Sequence, residues 1–570
     1  MQLNPELCAA LAACDEDRII LDLAGIEEQY RVLMRELPGV AVRFAMKACP
    51  VDEVISALAA LGGGCDAASP REIEQAVGCG VPVDRVHYGN TVKSDRHIAD
   101  AFRLGVRDFA TDSVQDVRAI AANAPGSRVF CRIATSGDGA LWGLSHKFGC
   151  CVTEAARVLC AARDLGLGPA GLSVHVGSQQ MSAGAWRDTF DLLAEAVELL
   201  GDHGIAPEYV NLGGGLPALG YLDQRGRPLH PPLDKIFATI REGMQRLEVV
   251  GDCDAPPRFL IEPGRHLVAD HGVIRAQVSR LASREVVDEE RQHWLYLSCG
   301  KFSGLYETDK LRYPLVFPGR EAEPHVPAVV AGPTCDSDDV YGDKHSLVSV
   351  PSTLRSGDPV WITSCGAYSI SYAARAFNGF APLPYTTVRS TLIRHTEEHD
   401  WDAITDIESD TYLPLGLSEG HDALVSRGRL SPETCFVVEA EQQVVGYVLA
   451  LPYASDTYPD LHQPDIGSPS PANPHTANLN PVNLHLHDMA VAVDFRRRGL
   501  GKRMLGRLVT EARRLGYEQI SLVAVGGSDS FWSARGFRPR PEVAVTAQYG
   551  PDAKYLTLSL EGTTRGGRIA

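Results

Sequence analysis

The chain has 570 residues, 44% hydrophobic and 22% charged, which is the composition of a folded globular protein too long for a single hydrophobic core. No apolar run reaches the roughly 18 residues of a membrane span, and the N-terminal MQLNPELCAALAACDEDRII lacks the basic stretch of a signal peptide, so we expect a cytoplasmic protein. A net charge of −18 argues against nucleic acid and anionic membranes as partners, and fourteen cysteines without paired C-x-x-C spacing predict reduced thiols and no metal site.

Eight strand-like runs alternate with helical stretches between residues 20 and 265. They are VRFAMKA (42–48), GCDAAS (64–69), RVHYG (85–89), DFATDS (108–113), RVFCRIA (128–134), LSVHVGS (172–178), YVNLGGG (209–215) and RFLIEPG (258–264). Eight strand–helix units over about 250 residues predict a (β/α)8 barrel. A doubly wound sheet is the alternative, but it would open its first helix with a Gly-rich phosphate turn, which this sequence lacks.

After residue 265 the pattern changes to strands without long helices. GVIRAQVSRLASREV, HWLYLSCG, AVVAGPT and DPVWITSC predict an all-β domain over 266–388, which we expect residues 1–19 to join. Strand and helix mix again from 391 to 562. Within that part, 454–483 is rich in Pro, Asn, Ser and His and predicts an irregular loop. Four histidines in or just after it match no metal motif and are interpreted as solvated: His462, His475, His485 and His487.

Several strand ends of the predicted barrel carry polar groups, and these ends form the active-site face of such a barrel. Lys47 ends the first run, and 211–215 offers the bare backbone amides of Asn-Leu-Gly-Gly-Gly, which suit a phosphate. Glu-Pro-Gly-Arg (262–265) adds a carboxylate and a guanidinium, while His175 and Ser178 end another run. Each signal is weak alone. Together they supply what pyridoxal phosphate needs: an amine, a phosphate cradle, an acid for the ring nitrogen and a flat partner for its face.

Motifs along residues 20–388 occur in the order typical of one enzyme family. They are F-A-M-K-A, G-C-D-A-A-S-P-R-E-I, C-R-I-A-T, K-F-G, H-V-G-S, L-G-G-G, E-P-G-R, G-P-T-C-D-S, C-G-A-Y and F-N-G-F. The chain thus resembles the fold-type-III, pyridoxal-phosphate-dependent ornithine/lysine/diaminopimelate decarboxylases. The resemblance implies an alanine-racemase-like fold, with a barrel over 20–265 and a β domain from 1–19 and 266–388.

The same resemblance implies roles for individual residues. Lys47 is expected to hold the cofactor covalently, His175 to stack on its ring, and Glu262 to keep the ring nitrogen protonated. The expected phosphate ligands are Gly213, Gly214, Gly215, Gly264 and Arg265, assisted by Ser178 and Tyr368. The expected supporting residues are Asp66, Glu72 and Arg132.

Cys335, in G-P-T-C-D-S, resembles the family's proton donor, which enters the partner subunit's active site and so implies a homodimer. Asp336 follows it where ornithine-type members bind the distal ammonium, with Asp339 nearby. We therefore expect a basic amino acid as substrate, with ornithine preferred and lysine possible. Diaminopimelate is the alternative, although its decarboxylases usually read C-E-S here. The eukaryotic members of the family carry a second acidic residue in a Tyr-Asp-His-Ala segment, which is missing here, and Glu307 or Asp309 could replace that acid.

Residues 391–562 resemble the GNAT acetyltransferases. Arg496-x-x-Gly499-x-Gly501 follows a strand, opens an amphipathic helix and precedes SDSFWSARGF (528–537), as in that family. Amides at a helix N-terminus beside basic residues bind a pyrophosphate, which implies acetyl-CoA. The residues expected to bind acetyl-CoA are Met489, Val491, Val493, Arg496, Arg497, Arg498, Gly499, Gly501 and Lys502.

One departure from the acetyltransferase pattern is Trp532, which stands where the family usually has a tyrosine that protonates the leaving thiolate. Asp488 and His487 are candidate bases, and a solvated Asp–His pair is the alternative. The fusion suggests that decarboxylation makes a diamine and that the second domain acetylates it. A second domain that only senses or binds coenzyme A remains the other hypothesis.

Overall fold

In a computed structural model of the chain, the described residues are 3–143, 147–249, 256–285, 291–341, 346–461 and 483–560. The chain divides into two compact units, Met1–Ser390 and Thr391–Ala570. Most of the segment predicted as a loop, including His462 and His475, lies outside the described residues. Among the residues described, no helix combines the length and the apolar character needed to cross a bilayer.

The first unit contains a closed barrel of eight parallel strands. In order around the barrel they are Tyr209–Asn211, Arg258–Ile261, Ala41–Ala45, Gly64–Ala67, Val86–Tyr88, Asp108–Thr111, Arg128–Arg132 and Gly168–Ser173. Seven of the eight strand-like runs contain one of these strands or its larger part, and the eighth, 172–178, overlaps the last two residues of Gly168–Ser173. The prediction of a (β/α)8 barrel is therefore confirmed.

Helices pack around the barrel and place its main apolar core between strands and helices. They are Leu23–Glu36, Asp52–Ala60, Pro70–Gly78, Asp95–Arg103, Val114–Asn123, Val152–Asp164, Ala183–Asp202, Leu233–Glu248 and the short Arg265–Val268. Serines begin several of them: the Ser69 hydroxyl accepts the Glu72 amide, and Pro70 occupies the first helical position. Because all eight barrel strands are parallel, the strand ends that precede these helices lie on one side of the barrel.

The remainder of the first unit is the predicted β domain, together with the N-terminal helix Pro5–Ala12. Its eight-stranded sheet consists of Arg18–Asp22, Gly272–Arg284, Gln292–Leu297, Leu315–Val316, His325–Ala331, Val348–Pro351, Pro359–Ile362 and Tyr385–Val388. A separate pair, Ala140–Trp142 with Ser178–Gln180, is antiparallel. Arg18–Asp22 pairs with Gly272–Arg284, so both ends of the barrel segment are joined to one sheet.

The second unit is a mixed α+β domain, as the sequence predicted. Its seven strands, in sheet order, are Leu392–His395, Phe436–Ala440, Gln443–Pro452, Asn483–Val491, Gln519–Ala524, Lys554–Ser559 and Arg538–Pro539. Its α-helices are Trp401–Tyr412, His421–Leu430, Leu500–Arg514 and Asp529–Ser533.

Strand pairing at the centre of this sheet is irregular in two places, and the central strands separate as a result. Asn483–Val491 and Gln519–Ala524 run parallel but pair only as far as His485 and Ser521. The register with Gln443–Pro452 also shifts, so that Asp488 and Leu486 oppose consecutive residues and His487 is the additional one. The two central strands therefore separate beyond His485.

Candidate functional site

A cavity of about 400 Å³ opens at the carboxyl ends of the barrel strands. Of the residues expected to form the cofactor site, the following line it: Lys47, Asp66, Arg132, His175, Ser178, Gly214, Gly215, Glu262, Gly264, Arg265 and Tyr368. Gly213, the first glycine of its run, lies directly beside this lining, and its amide donates to Asn211 Oδ1 at 2.9 Å. The structure thus brings together side chains that are up to about three hundred positions apart in the sequence.

Lys47 and Asp66 form an ion pair at the base of this cavity. Lys47 lies in the one-turn helix Met46–Ala48 directly after its barrel strand, and its Nζ donates to Asp66 Oδ2 at 3.2 Å. Asp66 raises the pKa of the Lys47 ammonium above its usual range, although burial opposes this. Burial alone would raise the pKa of Asp66, but Lys47 and His87 together hold it well below its usual range. The pair is therefore ammonium and carboxylate, with the amine held in one direction.

His87 is a member of this cluster that sequence reasoning missed. Its buried ring places Nε2 3.3 Å from Asp66 Oδ1 and 3.0 Å from Glu262 Oε1. Burial lowers the pKa of His87, but hydrogen bonding and attraction to both carboxylates outweigh it and raise that pKa to about 9. The available signal was the run RVHYG, in which alternation places a histidine inside the barrel as the register partner of Asp66.

His175 presents a neutral ring to the cavity. Its Nδ1 accepts the Gly214 amide at 3.1 Å, which leaves the proton on Nε2. Burial, followed by the nearby Arg132 and Lys47 charges, lowers the pKa of His175 to about 3. The Thr135 hydroxyl donates to the His175 carbonyl at 2.6 Å and fixes the backbone there. A flat, uncharged ring held in this way suits stacking against an aromatic group.

The glycines beside His175 leave no room for side chains. A Cβ on Gly213 would lie 2.0 Å from the Val174 carbonyl oxygen, and one on Gly215 would lie 2.5 Å from a Val176 methyl. Gly213 and Gly215 also have φ of 67° and 117°, in the left-handed region that favours glycine. Bare backbone at a strand end, next to a buried guanidinium, fits the phosphate of pyridoxal phosphate.

Arg265 supplies that guanidinium and is paired with Glu307. Its Nη1 and Nη2 each donate to a Glu307 carboxylate oxygen at 2.6 Å, and Nη2 lies 3.2 Å from the Ser178 hydroxyl. Tyr368 covers it, with its ring centre 4.8 Å from the guanidinium carbon. The sequence left Glu307 and Asp309 as equal candidates. The structure separates them, because Asp309 pairs instead with Lys301 at 2.9 Å.

Three expected residues lie elsewhere: Cys335, Asp336 and Asp339 are not among the described residues that line the cavity. Cys335 is exposed, and its amide donates to Asn378 Oδ1 at 2.9 Å, which joins the G-P-T-C-D-S and F-N-G-F motifs. Asp336 is also exposed. Asp339 is buried and accepts the Lys301 amide at 2.7 Å and both the amide and hydroxyl of Thr334. Asp339 therefore shapes this loop, and Asp336 is left as the accessible carboxylate.

The other two expected supporting residues, Arg132 and Glu72, differ in position. Arg132 lines the cavity, with its guanidinium carbon 5.1 Å from the centre of the Phe148 ring. Burial lowers its pKa, while Glu262 and Asp66 counteract that effect. Glu72 instead accepts the Ala68 amide at 2.6 Å. Glu72 thus holds the loop that follows Asp66.

The second unit contains a cavity of about 810 Å³ where its central strands separate. Of the residues expected to bind acetyl-CoA, it is lined by Met489, Val491, Arg496, Arg497, Gly499, Gly501 and Lys502. Val493 and Arg498 are not among its described lining residues: Val493 is exposed, and the Arg498 guanidinium stacks 4.6 Å from the Phe495 ring centre. Gly499, with φ of 78°, begins the helix Leu500–Arg514.

His485 and His487 were interpreted as solvated, and that interpretation is wrong. Both belong to the strand Asn483–Val491, where His485 Nδ1 lies 3.0 Å from the Ser521 hydroxyl. The His487 side chain is 1% exposed, and its Nε2 lies 2.5 Å from Glu419 Oε1. The strand begins within the stretch predicted as a loop, so sequence composition placed both histidines in the wrong environment.

Asp488 is likewise not part of a solvated pair. It is buried in the same cavity, where the Tyr447 hydroxyl donates to it and the Tyr412 hydroxyl faces it. Burial raises the pKa of Asp488 to about 6, although His487 and the two hydroxyls moderate the rise. Trp532 lines the same cavity and packs edge-on against Phe531 and Phe537.

We expect His87→Leu to destabilise the first unit by about 1–3 kcal/mol at pH 6.5, because Asp66 and Glu262 lose the cation that lies within 3.3 Å of both. The folded-state pKa of His87 is raised, so its stabilisation is complete below the unfolded pKa of 6.5 and is lost as pH rises through about 9. Urea unfolding of wild type and variant at pH 6.5 and 9.5 measures both effects. His87→Gln, which keeps an N–H donor, should lose less, and an equal deficit at both pH values would contradict the charged state.

Comparisons with known proteins agree with this geometry. Residues 23–269 match the pyridoxal-dependent decarboxylase, pyridoxal binding domain, and residues 401–537 match the acetyltransferase (GNAT) family. The chain is 32% identical to a lysine/ornithine decarboxylase of Selenomonas ruminantium over 370 residues, which cover 64% of this chain and 88% of that protein.

Two solved structures of a Vibrio vulnificus lysine/ornithine decarboxylase, complexed with cadaverine or putrescine, are also similar. Each is 28% identical with a TM-score of 0.59 and covers 68% of this chain; the matches cover 100% and 99% of the respective solved chains. The expected cofactor, pyridoxal phosphate, is that of the matched decarboxylase domain. The chain belongs to the pyridoxal-phosphate-dependent ornithine/lysine decarboxylase family and carries a GNAT-family domain after the decarboxylase.

Proposed function

We propose that the chain is a bifunctional enzyme. Its first unit converts a basic L-amino acid, ornithine in preference to lysine, into a diamine, and its second unit acetylates one amine of that diamine with acetyl-CoA. The observation that carries the proposal is the presence in one chain of two separate polar cavities. One contains the Lys47–Asp66 pair, and the other contains the buried acid Asp488.

In the first unit, each residue has a definable task toward the cofactor. Pyridoxal phosphate supplies an electron sink that allows the α-carboxylate to leave as carbon dioxide. Lys47 provides the amine that holds its carbonyl carbon, and Asp66 keeps that amine in position. Glu262, whose Oε1 accepts the side-chain amide of Asn211 at 2.5 Å, would face the ring nitrogen and favour its protonated form. His175 covers the ring without adding positive charge.

The phosphate is assigned to the glycine backbone at Gly213–Gly215 and Gly264, with Arg265, Ser178 and Tyr368 around it. A phosphate on Arg265 would place a second anion beside Glu307, because Glu307 already occupies both terminal nitrogens of that guanidinium. Repulsion would then favour Glu307 turning toward a cation. We therefore assign Glu307, with Asp336, to the distal ammonium of the substrate.

A diamino acid is the substrate class that two such carboxylates select. The related Vibrio vulnificus enzyme was solved with cadaverine and with putrescine, the diamines that differ by one methylene, so the family accommodates both lengths. Ornithine remains our preference. Diaminopimelate carries a distal carboxylate, which Asp336 and Glu307 would repel.

We propose a homodimer that shares its decarboxylase sites. Cys335 is exposed, and its loop is held by Asn378 rather than turned into the cavity of its own chain. A second copy would bring Cys335 and Asp336 to the open side of the Lys47 cavity. The Cys335 thiol would then donate its proton to the carbon that has lost carbon dioxide.

In the second unit, the helix amides after Gly499, with Arg496, Arg497 and Lys502, are assigned to the pyrophosphate of acetyl-CoA. A neutral amine attacks the thioester carbonyl carbon, its C–N bond forms as the C–S bond breaks, and Asp488 takes the amine proton. The leaving thiolate takes a proton from water, since Trp532 carries no hydroxyl. That substitution also favours the second candidate, a domain that binds coenzyme A without transferring acetyl groups.

Sharing of the decarboxylase site predicts complementation. Lys47→Ala alone should abolish decarboxylation and the visible absorbance of the bound cofactor, while Cys335→Ala should slow turnover with the absorbance retained. Mixing equal amounts of the two variants should restore activity toward about one quarter of wild type, because half of the dimers are then mixed and one of the two sites in each mixed dimer is intact. No recovery after proven subunit exchange would contradict sharing.

The proposed order of reactions predicts the acceptor. Putrescine or cadaverine should be monoacetylated far faster than ornithine, since a nearby α-carboxylate keeps an ammonium charged and must itself be desolvated. Gly501→Arg should stop acetylation and leave decarboxylation intact, because a Cβ at Gly501 already lies 3.2 Å from Phe531 and a longer side chain fills the cavity. Gly506→Arg on the exposed side of the same helix is the control. Ornithine acetylated as fast as its diamine would refute the order.

The assignment of Asp488 as the base predicts that the rate of acetylation depends on pH. Its raised pKa means that the carboxylate form predominates only above about pH 6, so acetylation should rise as pH increases through that value. Asp488→Asn should lower kcat by about 10²–10⁴-fold without changing coenzyme A affinity. Asp494→Asn, an exposed acid on the following turn, should behave as wild type. Unchanged kcat in Asp488→Asn would exclude this base.

A further inference from the structure

The first unit contains a second cavity, of about 480 Å³, at the opposite end of its barrel, where the strands begin. Its lining includes Arg43, Arg107, Arg128, Arg258 and Tyr209, with Asp84 and Asp108 as the acidic members. In (β/α)8 barrels this face usually serves stability, whereas catalysis occupies the other face. His87 also lines this cavity and belongs to the site described above, through Asp66 and Glu262, but the arginines have no task in either proposed reaction.

The charges around this cavity do not balance. Arg128 holds Asp108 through two hydrogen bonds of 2.6 and 2.9 Å and contacts Glu208 at 2.9 Å, so the Asp108 charge is already neutralised. Asp84 is exposed to solvent. Arg107 donates Nη1 to the Phe102 and Val106 carbonyls and has no carboxylate partner among the described residues. A positive excess remains at the mouth.

Arg43 is one of the arginines that produce this excess of positive charge. It lies partly buried on the barrel strand Ala41–Ala45 and against Gly64, where a Cβ would be 2.6 Å from Nη1. Within the described chain its guanidinium has neither a hydrogen bond nor an ion pair. Burial lowers the pKa of Arg43 more than the nearby Asp108, Tyr209 and Asp84 raise it, so the guanidinium has lost water without gaining a directly bonded counter-ion. An anion in the cavity would remove this cost.

Tyr209 provides an independent observation. The residue is 3% exposed, and its hydroxyl is buried with no hydrogen-bond partner among the residues described. Its ring packs against Phe130 inside the barrel, with ring centres 5.9 Å apart, so the hydroxyl cannot turn freely to solvent. Buried hydroxyls are nearly always satisfied. An acceptor oxygen at this position would satisfy the donor.

We propose that this cavity is an oxyanion-binding site for a small phosphate-type dianion, held by Arg43 and Tyr209. The planar fork of an arginine matches the oxygens of a phosphate through paired hydrogen bonds. A phosphate would also attract Arg107, which has no carboxylate partner among the described residues. Because the site joins the beginnings of several barrel strands, binding stabilises the first unit.

The test uses the full chain saturated with pyridoxal phosphate and coenzyme A, so that both of their phosphate sites are filled. Inorganic phosphate, succinate and chloride are compared at equal ionic strength by titration calorimetry and by the unfolding midpoint of the first unit. We expect phosphate to bind once per chain and to raise the midpoint above the chloride value. Arg43→Gln should weaken phosphate binding at least tenfold, and Tyr209→Phe should weaken it several-fold.

Arg187→Gln, which removes an exposed arginine from a barrel helix, is the matched control and should bind phosphate as wild type does. The comparison holds even if Arg43→Gln is less stable, because the readout is the increment that phosphate adds. No phosphate-specific response, an equal response in Arg43→Gln and wild type, or stronger binding of succinate would each overturn the assignment.

Discussion

The decarboxylase unit depends on a row of alternating charges, Lys47, Asp66, His87 and Glu262, of which Asp66 and His87 are buried. Each neighbouring pair in the row is separated by 3.0 to 3.3 Å. An isolated charge in such a place would cost several kcal/mol, and the cost falls only when each charge has opposite neighbours. The amine proposed to hold the cofactor and the acid proposed to face its ring are therefore positioned by one connected set of charges. Removing either one would leave its neighbour with a single opposite charge.

The partner of each buried carboxylate decides its chemical role. Asp66 lies beside cations, and Glu419 lies between Arg427 and His487; both keep pKa values below their usual range. Asp488 receives two hydroxyls and no direct cationic hydrogen bond, and burial raises its pKa to about 6. The first kind of carboxylate orients its neighbours and stays charged. The second can exchange a proton near neutral pH, which is the property that a general base requires.

Sequence alone predicted the parts of the molecule that short-range patterns control. Lys47, His175 and the glycine run stand at the ends of strand-like segments, so barrel geometry brings them together once the eight units are recognised. His87 escaped notice because alternation within RVHYG places it inside the barrel but does not identify the carboxylates beside it. Glu307 could not be separated from Asp309, since only the tertiary fold brings one of them to Arg265.

The prediction that the histidines of the second unit are solvated was wrong for a different physical reason. The sequence around His485 and His487 resembles the preceding loop in composition, but both histidines lie where a strand has already begun. An additional residue in one strand is a property of pairing between strands, and it is not visible in a single run of sequence. That additional residue is His487, which turns into the cavity beside Asp488.

The barrel can contain this many charged side chains because most of its apolar burial lies between the strands and the surrounding helices, outside the barrel interior. The large apolar cluster lies between strands and helices, with Phe44, Val54 and Leu58 among its members. Inside the barrel the apolar cluster is small and includes Phe130 and Leu260. Barrels of this kind usually fill the interior with bulky branched residues. Here polar side chains at both ends of the barrel replace part of that filling, and the helices outside supply the burial that makes the exchange possible.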